Sequence, residues 1–267
     1  MRFLLLLILL PTLLFPGPVL AADDPAAILT ITGADRLYAE SELPPAASAD
    51  WEPYEFEGAI RVGTRAGDRR TWFRFELDRP ADAGDVKYSL YFWRYNMSLT
   101  VFMNGQELGG DFFRPGYQTL AWNHPMLVDI PLSSWEPGSN VFHIRFNPSP
   151  FGGTFADIKF APDSILRPIW QDMLNAKVRV NEYLLVFGIL VSVCTLVLFL
   201  VRRQDSVYLW FFGVSVSWCV LLTHFVIYYN PIPYQYWLPL VHIAIDTWVV
   251  SIFAFVGAPE DIQGPAR

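Results

Sequence analysis

Three polar side chains interrupt the apolar C-terminal part of this 267-residue sequence and could do chemistry there: His224, His242 and Asp246. His242 and Asp246 are four residues apart, so on a helix they share one face and can form a hydrogen bond or an ion pair. A carboxylate within a membrane helix costs roughly 2.5 to 3.5 kcal/mol, so we expect Asp246 to face protein or water. The cluster could sense protons or a signal, or it could simply supply hydrogen bonds between helices. Two histidines and one aspartate lack a fourth ligand, so we predict no metal site.

A second candidate site consists of aromatic and basic side chains in predicted loops of the N-terminal part. These residues are Trp93, Arg94, Tyr95, Arg114 and Trp122. Flat rings stack on sugars and guanidinium groups donate to hydroxyl or carboxylate groups, so the set could bind a small molecule or a carbohydrate. The alternative is that these side chains pack in the core and rim of a tryptophan-rich domain.

Patterns typical of an active site are missing from the sequence. His124 and His143 are the only histidines before the apolar part, and neither lies in the sequence context of a nucleophile. Phosphate-binding glycine loops and zinc-protease spacings are also absent. We therefore predict no enzyme, no catalytic residue and no cofactor.

The elements that carry the first cluster are three apolar runs at residues 183–201, 207–229 and 238–256. At 1.5 Å per residue the first run spans roughly 28 Å, close to the thickness of the hydrocarbon layer of a bilayer. We predict a transmembrane block over residues 183–257 and a short cytoplasmic tail over residues 258–267. Arg202 and Arg203 follow the first run, so the positive-inside rule places this link in the cytoplasm.

The N-terminus has the pattern of a secretory signal peptide. Met1-Arg2 is followed by an apolar stretch, and Val19-Leu20-Ala21 supplies small residues at a cleavage position. We predict a signal peptide over residues 1–21 and an extracytoplasmic domain over residues 23–162, periplasmic if the source is a Gram-negative bacterium. Cys194 and Cys219 lie in the apolar runs, so this domain has to fold without a disulfide.

Alternation of apolar and polar residues predicts half-buried antiparallel strands in the N-terminal domain. Phe73, Phe75 and Leu77 alternate with polar or larger neighbours, and the same period recurs at residues 99–103, 128–132 and 142–146. Residues 43–50 are typical of a loop. Asn104-Gly105 favours a two-residue hairpin, and Glu136-Pro137-Gly138 favours a turn. The pattern predicts an all-β sandwich or jelly roll followed by an α-helical transmembrane block.

The strand order also carries a resemblance to a known domain. The sequence WFRF, then LTVFMNGQELG, then MLVDIPLSSWEPGSNVFHIRF resembles the galactose-binding-like jelly roll of sugar-binding domains and bacterial receptor ectodomains. The resemblance covers residues 51–160 and implies a jelly-roll fold. It does not transfer a ligand, because sugar binders and structural modules share this fold.

Residues 163–182 change to a helical period. Ile165, Ile169 and Met173 recur at four residues, which predicts an amphipathic connector helix. Ser164 can cap its start, and Pro168 is tolerable close to the first turn. The connector could transmit movement to the membrane block or serve as a stalk.

Charge excludes one class of partner. The formal net charge is −7, and acidic and basic residues are interleaved, so no basic face is available for nucleic acid. We expect the bilayer, a small-molecule or carbohydrate ligand and a second copy of the chain as partners.

The order of the parts resembles the start of bacterial seven-transmembrane receptors with diverse intracellular signalling modules. Arg202-Arg203 closing the first run and Tyr208-Leu209 opening the second match that family. The resemblance implies an inner-membrane receptor that passes a signal to a histidine kinase or diguanylate cyclase. Because only three helices and no output domain are present, we expect either the N-terminal part of a longer receptor or a chain with a separate output partner. The alternative is a membrane-tethered carbohydrate-binding module without a signalling role.

The predicted topology can be tested by labelling introduced cysteines. We expect an impermeant maleimide to label Gln235→Cys in intact cells and to leave Gln204→Cys silent, because the charge bias places residue 204 inside. Cys194→Ser and Cys219→Ser remove background labelling. Labelling of residue 204 with residue 235 silent would reverse the orientation.

Overall fold

Aromatic residues at alternate strand positions build two antiparallel sheets around a shared core. A computed structural model describes residues 28–56, 60–62, 70–95, 98–111, 119, 121–147 and 153–257. The predicted signal peptide, Arg114 and the predicted tail lie outside these residues. The chain divides into two compact units, here called the sandwich unit (residues 1–114 and 121–177) and the helical unit (residues 115–120 and 178–267).

The sandwich unit contains three sheets, whose strands pair antiparallel throughout the described residues. The four-stranded sheet has the order β1 (Leu29–Ile31), β12 (Ile158–Pro162), β6 (Tyr88–Phe92) and β9 (Met126–Ile130). The six-stranded sheet has the order β3 (Glu52–Glu55), β2 (Gly33–Tyr38), β5 (Thr71–Asp78), β10 (Ser139–Asn147), β7 (Ser98–Met103) and β8 (Gln106–Gly110). A small sheet pairs β11 (Gly153–Phe155) with β4 (Ile60–Val62), and short 3-10 turns lie at Ala121–Asn123 and Leu132–Ser134.

The predicted β-sandwich is confirmed, and so are its turns. Asn104 and Gly105 form the two-residue loop between β7 and β8 with φ of 50° and 82°, as a type I′ hairpin requires. Gly138, with φ of 88°, turns the chain into β10. β1 and β2 lie before residue 43, a part of the chain where the sequence pattern indicated no strand.

The expectation of half-buried strands is wrong at the centre of the sandwich. Every residue of β6 and of β7 is buried, including Thr100 and Phe102 on the face that was expected to be polar. β7, a strand of the six-stranded sheet, is therefore covered on both faces. One face contacts the phenylalanine core, where Phe73 stacks on Phe155 with ring centroids 5.1 Å apart. The other face is described with the candidate site.

The helices begin where the sandwich ends. Their bounds are α1 (Asp163–Leu174), a π-helical segment (Asn175–Arg179), α2 (Val180–Val201), α3 (Ser206–Val226) and α4 (Tyr234–Gly257). The predicted connector helix is confirmed, but Ser164 is not its cap. The helix starts at Asp163 after Pro162, and no side chain caps it. Its buried anchor is Leu166 rather than Ile165, and Leu166 packs on Tyr91 and Ala161.

Within the described part of the chain, three helices are long and apolar enough to cross a membrane: residues 163–201, 206–226 and 234–257. The second ends three residues earlier than predicted, and the third begins four residues earlier and contains Pro239. Few of their side chains are buried against one another, and large apolar side chains such as Phe187 and Phe253 are exposed. Such an exterior suits a membrane protein.

Small residues bring the three helices of the helical unit together. A Cβ atom at Gly188 in α2 would lie 2.8 Å from Cys219 Sγ in α3. A Cβ atom at Gly213 in α3 would lie 2.6 Å from Ser251 Oγ in α4. Ser192 and Thr195 are buried too, and their hydroxyls donate to carbonyls of their own helix. Close backbone approach at small residues is the usual basis of helix association in lipid.

We predict that Gly213→Leu destabilises the helical unit, because a side chain there has to displace Ser251 and part α3 from α4. Overpacking of this kind costs about 1 to 3 kcal/mol of unfolding free energy. Gly257→Leu is the matched control, since a Cβ there meets nothing within 4 Å. Titration with SDS in mixed micelles, followed by circular dichroism, gives both values. Equal stability of the two variants would contradict the close contact.

Candidate functional site

The predicted ligand residues around Trp93 lie at the start of the helix rather than in an open pocket. Trp93 Nε1 donates to Asp157 Oδ1 over 2.9 Å, and the Trp93 ring packs with Trp170 around Leu166. Lys177 Nζ donates to Trp93 O over 3.4 Å. Arg94 is exposed beside it.

Of the other predicted ligand residues, Tyr95 lies in the core and Trp122 lies in a turn that contacts the helix. Tyr95 is 1% exposed and its hydroxyl donates to Asp111, so Tyr95 lies in the core, and its contact with a ligand stays a prediction. Trp122 is half-buried in the 3-10 turn at Ala121–Asn123. In that turn Asn123 Nδ2 donates to Lys177 O over 2.7 Å. The structure thus brings Trp93 and the turn that holds Trp122 to one lysine of the helix.

A charged network fixes the first turn of α1 to the four-stranded sheet. Arg167 pairs with Asp163 at 2.7 Å and with Asp129 on β9 at 2.8 Å. Asp163 also accepts from Ser89 on β6, and Lys87 pairs with Asp129. Two side chains of the sheet, Ser89 and Asp129, are therefore joined to the helix by charge-assisted hydrogen bonds.

The outer face of the six-stranded sheet carries a cluster that sequence reasoning did not select. Strand register places Arg74 opposite His143 and His143 opposite Phe102, and in the adjacent row Trp72 lies opposite Arg145. The alternating pattern did contain the signal, because these residues are the partners of the core phenylalanines along β5 and β10. They were expected to face water.

A covering segment, residues 39–51, lies on this outer face. Glu42 pairs with Arg145 at 2.8 Å and with Arg70 at 2.9 Å. Trp51 lies 5.8 Å from the His143 ring between ring centroids, and the Arg74 guanidinium carbon lies 4.9 Å from the Trp51 ring centroid. The cluster is thereby removed from solvent although most of its members are polar.

Burial displaces the pKa values of Asp111 and His143, both in the sandwich unit, in opposite directions. Burial raises the pKa of Asp111 to about 7, although the Leu99 N–H and the Tyr95 hydroxyl donate to it and partly oppose the rise. Burial lowers the pKa of His143 to about 4, and the positive charge of Arg74 adds to this effect. At neutral pH His143 is neutral and Asp111 is close to half-protonated.

Of the three intramembrane residues, His224 is half-buried and His242 and Asp246 are exposed, and their role as a polar cluster stays a prediction. His224 Nδ1 accepts from Trp237 Nε1 over 2.9 Å, which joins α3 to α4. The pairing that the spacing of His242 and Asp246 allows is not formed in the structure: His242 Nδ1 lies 2.8 Å from Leu238 O of its own helix, and both side chains are exposed. The face of α4 that packs on α3 holds Val241, Ala244 and Ser251 instead. Among the described residues no group of three His, Cys, Asp or Glu side chains could hold a metal ion.

The comparisons with known proteins give only distant structural likenesses. A β-glucuronidase of Bifidobacterium dentium complexed with coumarin-3-O-glucuronide is 17% identical with a TM-score of 0.35, over 48% of this chain and 21% of that chain. A β-D-mannosidase of Dictyoglomus thermophilum is 10% identical with a TM-score of 0.34, over 51% and 22%. A β-glucuronidase of an uncultured Clostridium sp. is 12% identical with a TM-score of 0.38, over 54% and 30%.

This chain therefore spans less than a third of the length of those enzymes. No family model and no curated protein matches it. The function has to be argued from the residues of the chain itself.

We predict that the opposite pKa shifts of Asp111 and His143 nearly cancel in the pH dependence of stability. The raised Asp111 pKa contributes stability that is present below about pH 4 and lost as pH rises to about 7. The lowered His143 pKa contributes stability that is present above about pH 6.5 and lost as pH falls to about 4. Between these limits the two slopes have opposite signs.

Single substitutions should reveal how each of the two groups makes the free energy of unfolding depend on pH. Asp111→Asn should leave a free energy of unfolding that rises by about 3 kcal/mol from pH 4 to pH 6.5. In His143→Gln the free energy of unfolding should fall by about 4 kcal/mol from pH 4 to pH 7. Thermal unfolding of the sandwich unit within the full chain measures both, with Glu52→Gln as a surface control. Parallel pH profiles of the two variants would contradict the assignment.

Proposed function

We propose that this chain is the sensory and membrane portion of a bacterial signal-transduction receptor. In this proposal the sandwich unit is a galactose-binding-like jelly roll outside the inner membrane that binds a small ligand. The observation that carries the proposal is one helix, which starts on the sandwich at Asp163 and continues to Val201 through the first apolar segment. A ligand-induced movement of the sandwich strands has this helix as its covalent path into the membrane.

Contacts at the start of the helix support the transmission of movement from the sandwich strands to the helix. Leu166 is fully buried against β6 and β12, Arg167 pairs with Asp129 on β9, and Trp170 Nε1 donates to Pro125 O over 2.9 Å. Strands from one sheet therefore hold the helix at successive turns. A flexible tether would need no such set of partners.

The π-helical segment Asn175–Arg179 supports the proposal in a second way. A π turn contains one residue more than an α turn, so it marks a place where a helix can change register. A shift of one residue rotates everything beyond it by about 100°. In this proposal the rotation is the signal, and the receiver is a histidine kinase or diguanylate cyclase that follows in the chain or binds as a separate protein.

We predict that the output of a fusion protein depends on the rotation of the helix, which is set by the number of residues inserted in it. A diguanylate cyclase domain is joined after Arg267, and one to four alanines are inserted after Ala176, or Ala176 is deleted. Cyclic di-GMP in cells should vary several-fold with a period of about 3.6 residues, since each added residue rotates the helix by about 100°.

Glycine-serine insertions of the same lengths are the matched controls, because they interrupt the helix and should remove the periodicity. An output that does not change with the length of the alanine insertion would contradict the receptor. It would favour the alternative, a membrane-tethered carbohydrate-binding module.

A further inference from the structure

Two arginines on the six-stranded sheet hold one carboxylate between them. Arg70 Nη2 donates to one oxygen of Glu42 over 2.9 Å, and Arg145 Nη1 donates to the other over 2.8 Å. The arginine side chains are only 7% and 14% exposed, whereas the Glu42 side chain is 72% exposed. A carboxylate from the surface therefore reaches a position that the buried arginines define.

The other N–H donors of these two guanidinium groups bind to the sheet and to the covering segment. Arg70 donates to Asn147 and to the carbonyls of Glu40 and Ser41, and Arg145 Nη2 donates to Thr100 over 3.1 Å. Their orientation is thus fixed without the Glu42 side chain. Removing that carboxylate would leave two preorganised donors directed at one place.

Beside this pair lie buried polar atoms that make no hydrogen bond within the described part of the chain. They are Trp72 Nε1, both ring nitrogens of His143 and Arg145 Nε. Trp72 is fully buried and His143 is 8% exposed. Leaving a buried polar group unpaired costs about 1 to 3 kcal/mol, so several of them on one sheet face require an explanation. A polar ligand that reaches this face would satisfy them.

Aromatic rings surround the same atoms. Trp72 and Phe102 lie 5.6 Å apart between ring centroids, Trp51 lies above His143, and the Arg145 guanidinium carbon lies 5.6 Å from the Phe102 ring centroid. Rings together with neutral donors and acceptors suit a hydroxylated sugar ring, and paired guanidinium groups suit a carboxylate.

We propose that the outer face of the six-stranded sheet binds an acidic monosaccharide, whose carboxylate replaces that of Glu42 between Arg70 and Arg145. The hydroxyl groups of the sugar form hydrogen bonds with Trp72 Nε1 and with the ring nitrogens of His143. The ligand displaces only the Glu42 side chain of the covering segment, while the Glu40 and Ser41 carbonyls keep Arg70 in place and Trp51 stays against His143. Displacement exchanges one carboxylate for another between the same two guanidinium groups, so the buried charges of Arg70 and Arg145 stay paired. This inference rests on the proposed function in that it names the ligand class of the sensory domain.

The test measures binding to the full chain in lipid nanodiscs by calorimetry. The probes are D-galacturonate, its neutral counterpart D-galactose, and acetate. We expect galacturonate to bind at least about tenfold more tightly than either of the others. Glu42→Gln should bind galacturonate about tenfold more tightly than the original chain, because an internal competitor has been removed. Arg145→Gln should bind it at least about tenfold more weakly.

Glu52→Gln is the matched control for Glu42→Gln, since Glu52 pairs with Arg36 at 3.2 Å rather than with Arg70 or Arg145. It should leave the affinity unchanged. Arg145→Lys provides a second variant in case Arg145→Gln unfolds. A direct readout is the ¹⁵N spectrum of labelled histidine: galacturonate should shift the His143 signals and leave those of His224 and His242 in place.

Equal binding of galactose or acetate, no binding by Glu42→Gln, or an unmoved His143 signal would each overturn the site. The cyclase fusion separates this failure from failure of the receptor. If binding fails while the alanine insertions still give a periodic output, the receptor stands and its ligand site lies elsewhere. If galacturonate binds as predicted but the cyclic di-GMP output does not vary with insertion length, the binding site is supported and the chain is a tethered binding module.

Discussion

Burial of an aromatic layer without any disulfide is the constraint on which the sandwich unit depends. Phe155 packs against Phe73, Phe146 and Phe92, with ring centroids 5.1, 5.5 and 6.1 Å apart, so one residue of the small sheet contacts both larger sheets. Each large ring removes much apolar surface from water. The core phenylalanines occupy one face of the six-stranded sheet, and the alternate positions of β5 and β10 carry polar side chains on its other face.

The same sheet therefore has two faces with different chemistry. Along β10, Phe142, Ile144 and Phe146 enter the core, and His143 and Arg145 face the covering segment. An apolar cover would have stabilised the fold at less cost in desolvation. Arginine, histidine and unpaired nitrogen atoms on that face are the reason why we propose the ligand site there rather than in the loops around Trp93.

The helical unit depends on a different interaction. Lipid offers no hydrophobic gain for packing one apolar helix on another, so contacts form where small side chains permit close approach. Gly188 and Gly213 provide these places, and the Trp237–His224 hydrogen bond adds a polar contact near the end of α3. His242 and Asp246 remain exposed on α4 because the small residues of that helix, and not its polar ones, face α3.

The sequence by itself determined the elements that follow from local pattern. Apolar length predicted three helices, alternation predicted the strands at β5, β7, β9 and β10, and Asn104-Gly105 predicted its hairpin, because each depends on near neighbours in the chain. Contacts distant in sequence were decided only by the tertiary structure. Tyr95 became a core residue through Phe155 and Asp111, and Glu42 met Arg145 across about a hundred residues. Periodicity identifies the face on which a side chain lies, but the element that covers this face depends on how the strands are ordered in space.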